Sequence, residues 1–365
     1  MRRILGIKLK KARGDLVLTQ EALASAVGLS TKYISHLELG RRTPSLETLT
    51  KLSEYLKRDI SYFFEEKERA FNTLLKGERL DKKAKIRLRK FQRYCEEYVN
   101  LEELTGHRLE LAPLYTNVSA ERMTEEERQR LGLGNEPIRD IFPLLEMNGC
   151  RIVRQFIPEP SNITGAFIFL ETKEAAFALI NSSQSPDQQA FIAAHEYCHY
   201  LKDRREDPII DNPDIFVDEF VSLYHPREKF AQTFASRFLM PPSKVEAIID
   251  KEIRSARLKF NDVIFLKRYF GVSILSMMNT LKELGYLSRS KYEEYCKLDL
   301  DRYEDYLFRS PTLARRQERN KGKIIPSDRF KSLAIKAYQR KKINAEKLSK
   351  LLNQEKSRLL STIRE

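Results

Sequence analysis

The sequence predicts an α+β fold that is mostly helical. It has an all-α unit at the N-terminus, a central α+β domain on a small sheet, and a helical C-terminal region. Three observations carry this expectation. Apolar residues recur at intervals of three and four through most of the chain, the period of an amphipathic helix. Three apolar runs of strand length, 151–156, 166–170 and 176–181, fall together near the middle. The 365 residues are 41% hydrophobic, enough for the cores of two or three domains. The expected divisions are 1–65, a helical linker over 66–110, 111–245 and 246–365.

In the first unit Ile4, Leu5, Leu9 and Ala12 trace one helix. Thr19 is placed to cap a second over 20–26. Val27-Gly28-Leu29-Ser30 then reads as a tight turn, with Gly28 free to take the left-handed conformation and Ser30 free to cap a third helix. Two short helices about such a turn form a helix-turn-helix. Tyr33, Ile34 and Leu37 are available to pack, and Thr31, Lys32, Ser35 and His36 face outward. Gly40 to Pro44 closes the third helix, and Leu46, Leu49, Leu52 and Leu56 mark a fourth. The stretches Leu18 to Ala24, Val27 to Ser30 and Ile34 to Ser45 resemble the Cro/cI-type (xenobiotic-response-element) helix-turn-helix family. That resemblance implies binding to double-stranded DNA, usually as a homodimer on paired half-sites. It implies a phosphate contact at Gln20 and base-edge contacts from Ser30, Thr31, Lys32, Ser35 and His36. Arg41 and Arg42 suit phosphates.

Residues 66–110 are charged and helical in pattern, with Phe71, Leu74, Ile86, Leu88, Phe91, Tyr94 and Tyr98 on the apolar side. The basic run from Lys82 to Lys90 is expected to be the solvated face of a linking helix. A dimer interface and a DNA-facing surface are the alternatives.

In the central domain a helix is expected over 124–133, a second that Pro137 precedes and that runs through Glu146, and then the three strands. After them comes His195-Glu196-Tyr197-Cys198-His199, the H-E-x-x-H pattern of a zinc metallopeptidase helix. Residues four apart on a helix differ by about 40° around its axis, so both imidazoles share one face and can hold one Zn²⁺. Glu196 stands where a general base would take a proton from the attacking water. Asp187, just after Pro186, is the expected N-terminal signal of this helix. A third ligand must come from elsewhere. Glu228 opens an amphipathic helix of Ala231, Phe234, Ala235, Phe238 and Leu239 that stops at Pro241-Pro242. An acid there is either a ligand or a charge complementing the helix dipole; beside the upstream motif the ligand role is favoured. Asp218, Glu219 and His225 are rival ligands, and Tyr224 or His225 could stabilise an oxyanion. An edge strand of the sheet could hold an extended peptide.

His195, Glu196 and His199, followed by Glu228, Ala231, Phe234, Ala235, Leu239, Met240 and Pro241, resemble the ImmA/IrrE family of bacterial metallopeptidases. The usual Leu-Gly inside the motif is Tyr197-Cys198 in this chain, and the usual Asn or Asp of the second helix is Gln232. The resemblance implies a zincin-like domain holding Zn²⁺ and a substrate that is a repressor or antitoxin-like protein. The alternative is a transcription factor whose zinc-site domain senses a ligand or partner without cleaving it.

Near the C-terminus, 270–278 reads as a second helix-turn-helix-like core. From Pro311 onward sixteen Lys and Arg stand against five Asp and Glu, so the tail supplies most of the net charge of +14. This charge favours a polyanionic partner; the tail either contacts DNA or packs on the core as a basic surface. Cys95, Cys150, Cys198 and Cys296 are scattered without a C-x-x-C, which argues against a disulfide framework and fits the cytoplasm. Cys198 points away from the two-histidine face and is read as core. No apolar run is long enough to span a membrane.

Overall fold

A computed structural model describes residues 2–16, 18–58, 60–64, 71, 81–158, 163–206, 210–211, 226–255, 257–298, 303 and 323–363. The chain forms two compact units, Met1–Asn72 with Leu170–Glu174, and Thr73–Phe169 with Ala175–Glu365.

The first unit contains α1 (Arg2–Asp15), α2 (Gln20–Val27), α3 (Thr31–Glu38), α4 (Leu46–Tyr55) and α5 (Ile60–Phe64). Its boundaries follow from local chemistry. The Thr19 hydroxyl accepts from the Ala22 amide at 3.0 Å, and Ser30 and Ser45 cap α3 and α4 in the same way. Gly28 ends α2 at φ 69°, a left-handed conformation that costs glycine little. The apolar stripes then close on one core that includes Leu9, Leu23, Ile34, Leu37 and Leu52.

In the second unit α6 (Lys82–Thr105), α7 (Ala120–Arg130) and α8 (Ile141–Met147) precede β1 (Cys150–Gln155), β2 (Gly165–Leu170) and β3 (Ala175–Asn181). Next come α9 (Pro186–Lys202), β4 (Ile210–Asp211), α10 (Pro226–Leu239) and α11 (Pro242–Ile248), which runs into a π-helical turn at Ile249–Ile253. The C-terminal part holds α12 (Phe260–Phe270), α13 (Ile274–Glu283), α14 (Arg289–Tyr295), β5 (Ile324–Ile325), α15 (Asp328–Gln339), α16 (Ala345–Leu352) and α17 (Lys356–Ile363). The sheet order is β4-β2-β3-β1-β5. β1 and β3 are parallel, from Cys150↔Ala176 to Gln155↔Asn181, and the two outer strands pair antiparallel with their neighbours.

β3 is buried along its whole length because helices cover both sheet faces. Ala176, Ala178 and Ile180 belong to the core that α9 shares, and the small alanines admit that helix closely. Phe177, of the opposite alternation, meets Tyr98 of α6 edge to face at 5.8 Å.

Several elements differ from the sequence-based expectations. The helix expected over 124–133 begins at Ala120, because Ser119 caps it. The helix that Pro137 precedes begins only at Ile141, with Asp140 accepting from the Phe142 amide. α9 is capped by Ser185 in a reciprocal box with Gln188, which places Pro186 in the first turn. Asp187 stands in that first turn, as expected of an N-terminal signal, and also pairs with Lys267 of α12 at 3.2 Å. In the helix read as a linker, Lys82, Lys83, Lys85, Arg89 and Lys90 are exposed, as expected of a solvated basic face, and its apolar side, with Leu88, Phe91, Tyr98 and Leu101, is buried.

The partner of α6 is the basic tail. Phe330 of α15 stacks on Tyr94 at 4.4 Å, Arg340 donates to the Thr105 carbonyl, and Lys347 pairs with Glu97. At the centre Glu102, 1% exposed, accepts from Arg151 through both oxygens (3.0 and 2.6 Å) and from Arg329 at 2.5 Å. Tyr98 and Ser327 both donate to Glu146, whose carboxyl burial raises above its usual range. A buried ion cluster is costly to desolvate but more costly to break, because the remaining charges stay uncompensated. Glu102→Ala should therefore destabilise the second unit by about 3–5 kcal/mol. Urea unfolding of the full chain checks this, and a loss under about 1 kcal/mol would show that the cluster does not hold the tail to the body.

Candidate functional site

α9 is buried nearly all round from Gln189 to Leu201, as expected of a helix at the centre of a core. Its two tyrosine hydroxyls are each given a partner. The Tyr197 hydroxyl donates to Glu127 of α7 at 2.5 Å, and Arg130 completes that pair from 2.6 and 2.7 Å. The Tyr200 oxygen accepts from the Ala112 amide at 2.5 Å. Burial pushes the Cys198 thiol well above its usual range, and this buried residue is a packing group as expected.

The face turned toward α10 carries the site. His195 Nε2 and Glu228 Oε2 are 3.0 Å apart, His199 Nε2 and His195 Nε2 are 3.2 Å apart, and His199 Nε2 lies 3.7 Å from Glu228 Oε2. Ligand atoms of the three residues all lie within 4.8 Å of one another, and no other such group occurs among the described residues. Burial alone would raise the Glu228 carboxyl, but the two imidazoles beside it hold it well below the usual carboxylate range. Two ring nitrogens and a carboxylate oxygen facing one point repel unless a proton or cation lies between them. Two imidazoles and one carboxylate are also the donor set of a catalytic zinc site with an open position. The residues present therefore fit a metal ion.

Two features around the donors were not read from the sequence. Asp203 Oδ2 sits 3.0 Å from His199 Nδ1, which fixes the ring proton on that side and leaves Nε2 to face the site. Burial would raise Asp203, but His199, Arg227 and Lys202 hold it below its usual value. Its spacing, four residues past His199, is a signal the sequence offers. The other feature is Gly165 at the start of β2. A Cβ there would fall on Glu196 Oε1 and within 2.7 Å of the Ile192 side chain. Only glycine lets the strand lie this close to the Glu196 carboxylate. Asp218, Glu219, Tyr224 and His225 lie outside the described residues.

In the first unit, Thr31, Lys32, Arg41 and Arg42 are exposed, and Ser35 and His36 are half-buried. The Ser30 hydroxyl is engaged as the α3 cap, accepting from the Tyr33 amide at 3.2 Å. The Gln20 amide donates to Glu38 Oε2 at 2.7 Å. Glu38 is itself clamped by Arg13, which donates to both of its oxygens at 2.6 and 3.0 Å. This buried acid orients Gln20 and ties α1 to α3, and no local spacing links Arg13 to Glu38 in the sequence.

A family model described as helix-turn-helix matches residues 9–63, and one described as the IrrE N-terminal-like domain matches residues 161–282. Over 56 residues the chain is 39% identical to the uncharacterized HTH-type transcriptional regulator y4dJ of Sinorhizobium fredii, a match covering 15% of this chain and 73% of that protein. Over 57 residues it is 35% identical to the ImmF control region 10 kDa protein of Bacillus phage phi105, covering 16% of this chain and 63% of that protein. The structure of Bacillus thuringiensis PlcR in complex with the peptide PapR7 and DNA aligns over 84% of this chain and all of its own, at 16% identity. Its TM-score of 0.19 is too low to carry an argument. The chain belongs to the helix-turn-helix family of transcriptional regulators through its N-terminal unit, and its body carries an IrrE N-terminal-like domain.

Proposed function

We propose that this protein is a cytoplasmic, DNA-bound regulator whose body is a zinc metallo-endopeptidase acting on a repressor or antitoxin-like protein. The carrying observation is the convergence of His195, His199 and Glu228 on one point, with the Glu196 carboxylate following the first donor on the same helix. His195, His199 and Glu228 would hold Zn²⁺. When bound, the ion would lower the pKa of a water and polarise the scissile carbonyl. Glu196 takes a proton from the attacking water and passes it to the leaving amine. Asp203 keeps the His199 ring in the tautomer that presents Nε2. Gly165 leaves the space in which the Glu196 carboxylate sits.

The head binds double-stranded DNA in this reading. Gln20, Arg41 and Arg42 meet phosphates, and Ser30, Thr31, Lys32, Ser35 and His36 meet base edges. Exposed Leu39 and Leu46, at 58% and 71%, supply apolar surface for a homodimer on paired half-sites. A second reading, a non-proteolytic sensor, is favoured by one observation: His195 and Glu196 are both 0% exposed, so the site is closed to solvent.

Purified protein should contain about one zinc per chain, lost in His195→Ala and Glu228→Ala, as measured by elemental analysis. Asp203→Ala should keep the site but weaken zinc affinity roughly 10- to 100-fold in a chelator competition. Zinc indifferent to Glu228 would remove it from the ligand set. Glu196→Gln should retain zinc and DNA binding while cleavage of a co-expressed repressor falls roughly 10²- to 10⁴-fold. A regulatory phenotype that survives this change would favour the sensor. Arg41→Ala should weaken DNA binding about equally on all sequences and lower the salt slope by about one; an unchanged slope would take Arg41 off the phosphates.

A further inference from the structure

α6 carries its charge the wrong way round for a helix. The backbone dipole leaves the N-terminus positive, so acids suit the first turn and cations the last. Between Lys82 and Cys95 stand seven Lys and Arg and no acid. Glu96, Glu97, Glu102 and Glu103 occupy the second half, and the last turn holds no cation. The two halves are answered differently. Acids of the second half meet the tail, Glu97 through Lys347 and Glu102 through Arg329. In the first half Lys82, Lys83, Lys85, Arg89, Lys90 and Arg93 are all exposed, and among the described residues none of them pairs with an acid. Lys82, Lys85, Arg89 and Arg93 are spaced three, four and four. They therefore form one row, within about 80° of arc and about 16 Å long. Like charges at these spacings destabilise a helix. Folding gains nothing from the row, and an outside anion would relieve both the repulsion and the opposed dipole.

We propose that this row binds the phosphate backbone of the duplex DNA that the helix-turn-helix head holds, as a second contact that ignores base sequence. The inference rests on the DNA-binding reading of the head. Two observations select DNA over other anions. The row is linear, and its length matches about five phosphates of one strand, whereas a compact anion would meet only one or two of its cations. The chain itself also supplies the ligand. The 17 residues 65–81 separate the end of α5 from the start of α6, a span of at most about 60 Å when fully extended. DNA on the head is thus offered to the row at an effective concentration on the order of millimolar, where weak phosphate contacts suffice. Such contacts act by releasing counterions, so they add affinity on every sequence and leave specificity to the head.

The test uses the full chain and a fluorescein-labelled random-sequence duplex of about 60 base pairs, titrated at salt concentrations from about 50 to 200 mM. In one variant Lys82, Lys85, Arg89 and Arg93 are all changed to Gln. In the charge-matched control Lys229, Lys251, Lys259 and Lys297, exposed elsewhere on the body, are changed to Gln. The row variant should lower the slope of log affinity against log salt by about three and weaken binding at least roughly tenfold at the low-salt end. The control should move the slope by less than about one. A row variant with the parent's slope and affinity overturns the proposal. So does an equal loss in the control, which would assign the effect to net charge. Without DNA the row variant should melt no lower than its parent, because the charges removed oppose the dipole. A fall in Tm of about 5 °C or more would show that the row is held within the chain, and would also overturn the proposal. The head is tested separately by Arg41→Ala with Arg42→Ala. If that pair weakens binding and the row variant does not, this proposal falls and the head reading stands. If the row variant weakens binding and the head pair does not, the head reading falls and the phosphate contact on α6 stands. A parent chain that ignores the duplex sinks both.

Discussion

The body depends on a helix with no solvent face. A buried helix must give every polar side chain a partner inside the protein, because water is not available to supply one. α9 carries two histidines, a glutamate and two tyrosines in its last two turns, and much of the surrounding structure answers those groups. Glu127 and Arg130 answer Tyr197, the Ala112 amide answers Tyr200, Asp203 answers one side of His199, and Glu228 answers His195. The donor face is thus held in register by contacts made from the other side of the helix.

What was legible in the sequence is what is local. Thr19, Gly28 and Ser30 act within a few residues of themselves, so their roles as cap and turn could be read directly. The pairing of His195 with His199 is set by helix geometry alone. Glu228 needed the upstream motif as context, since an acid at a helix start has an ordinary electrostatic reading of its own. Asp187 marks the first turn of α9, as its place after a proline suggests, while the reciprocal bond between Ser185 and Gln188 sets the start. Arg13 with Glu38, and Gly165 with Glu196, were not legible, because each joins residues separated by 25 or more positions.

The charge of the tail shows why composition alone is a weak guide to a partner. A basic surplus favours polyanions in general, but Arg329, Arg340 and Lys347 are spent on acids and carbonyls of α6. The amphipathic pattern of α6 itself was read correctly, yet its apolar side had no identified cover. That cover lies more than two hundred residues downstream, a distance over which neither periodicity nor capping carries information.

The placement of β5 sets an order of events during synthesis. A strand at Ile324–Ile325 completes the β1 edge, and α15 covers α6. These contacts span most of the chain, so they close late and at a high entropic cost of loop closure. On the ribosome the five helices of the head, whose core is built between Leu5 and Phe63, can pack while the rest is still being made. The body cannot finish until the tail has emerged. A nascent chain therefore gains its helix-turn-helix head well before its body is complete, and a chain truncated short of β5 would keep the first without the second.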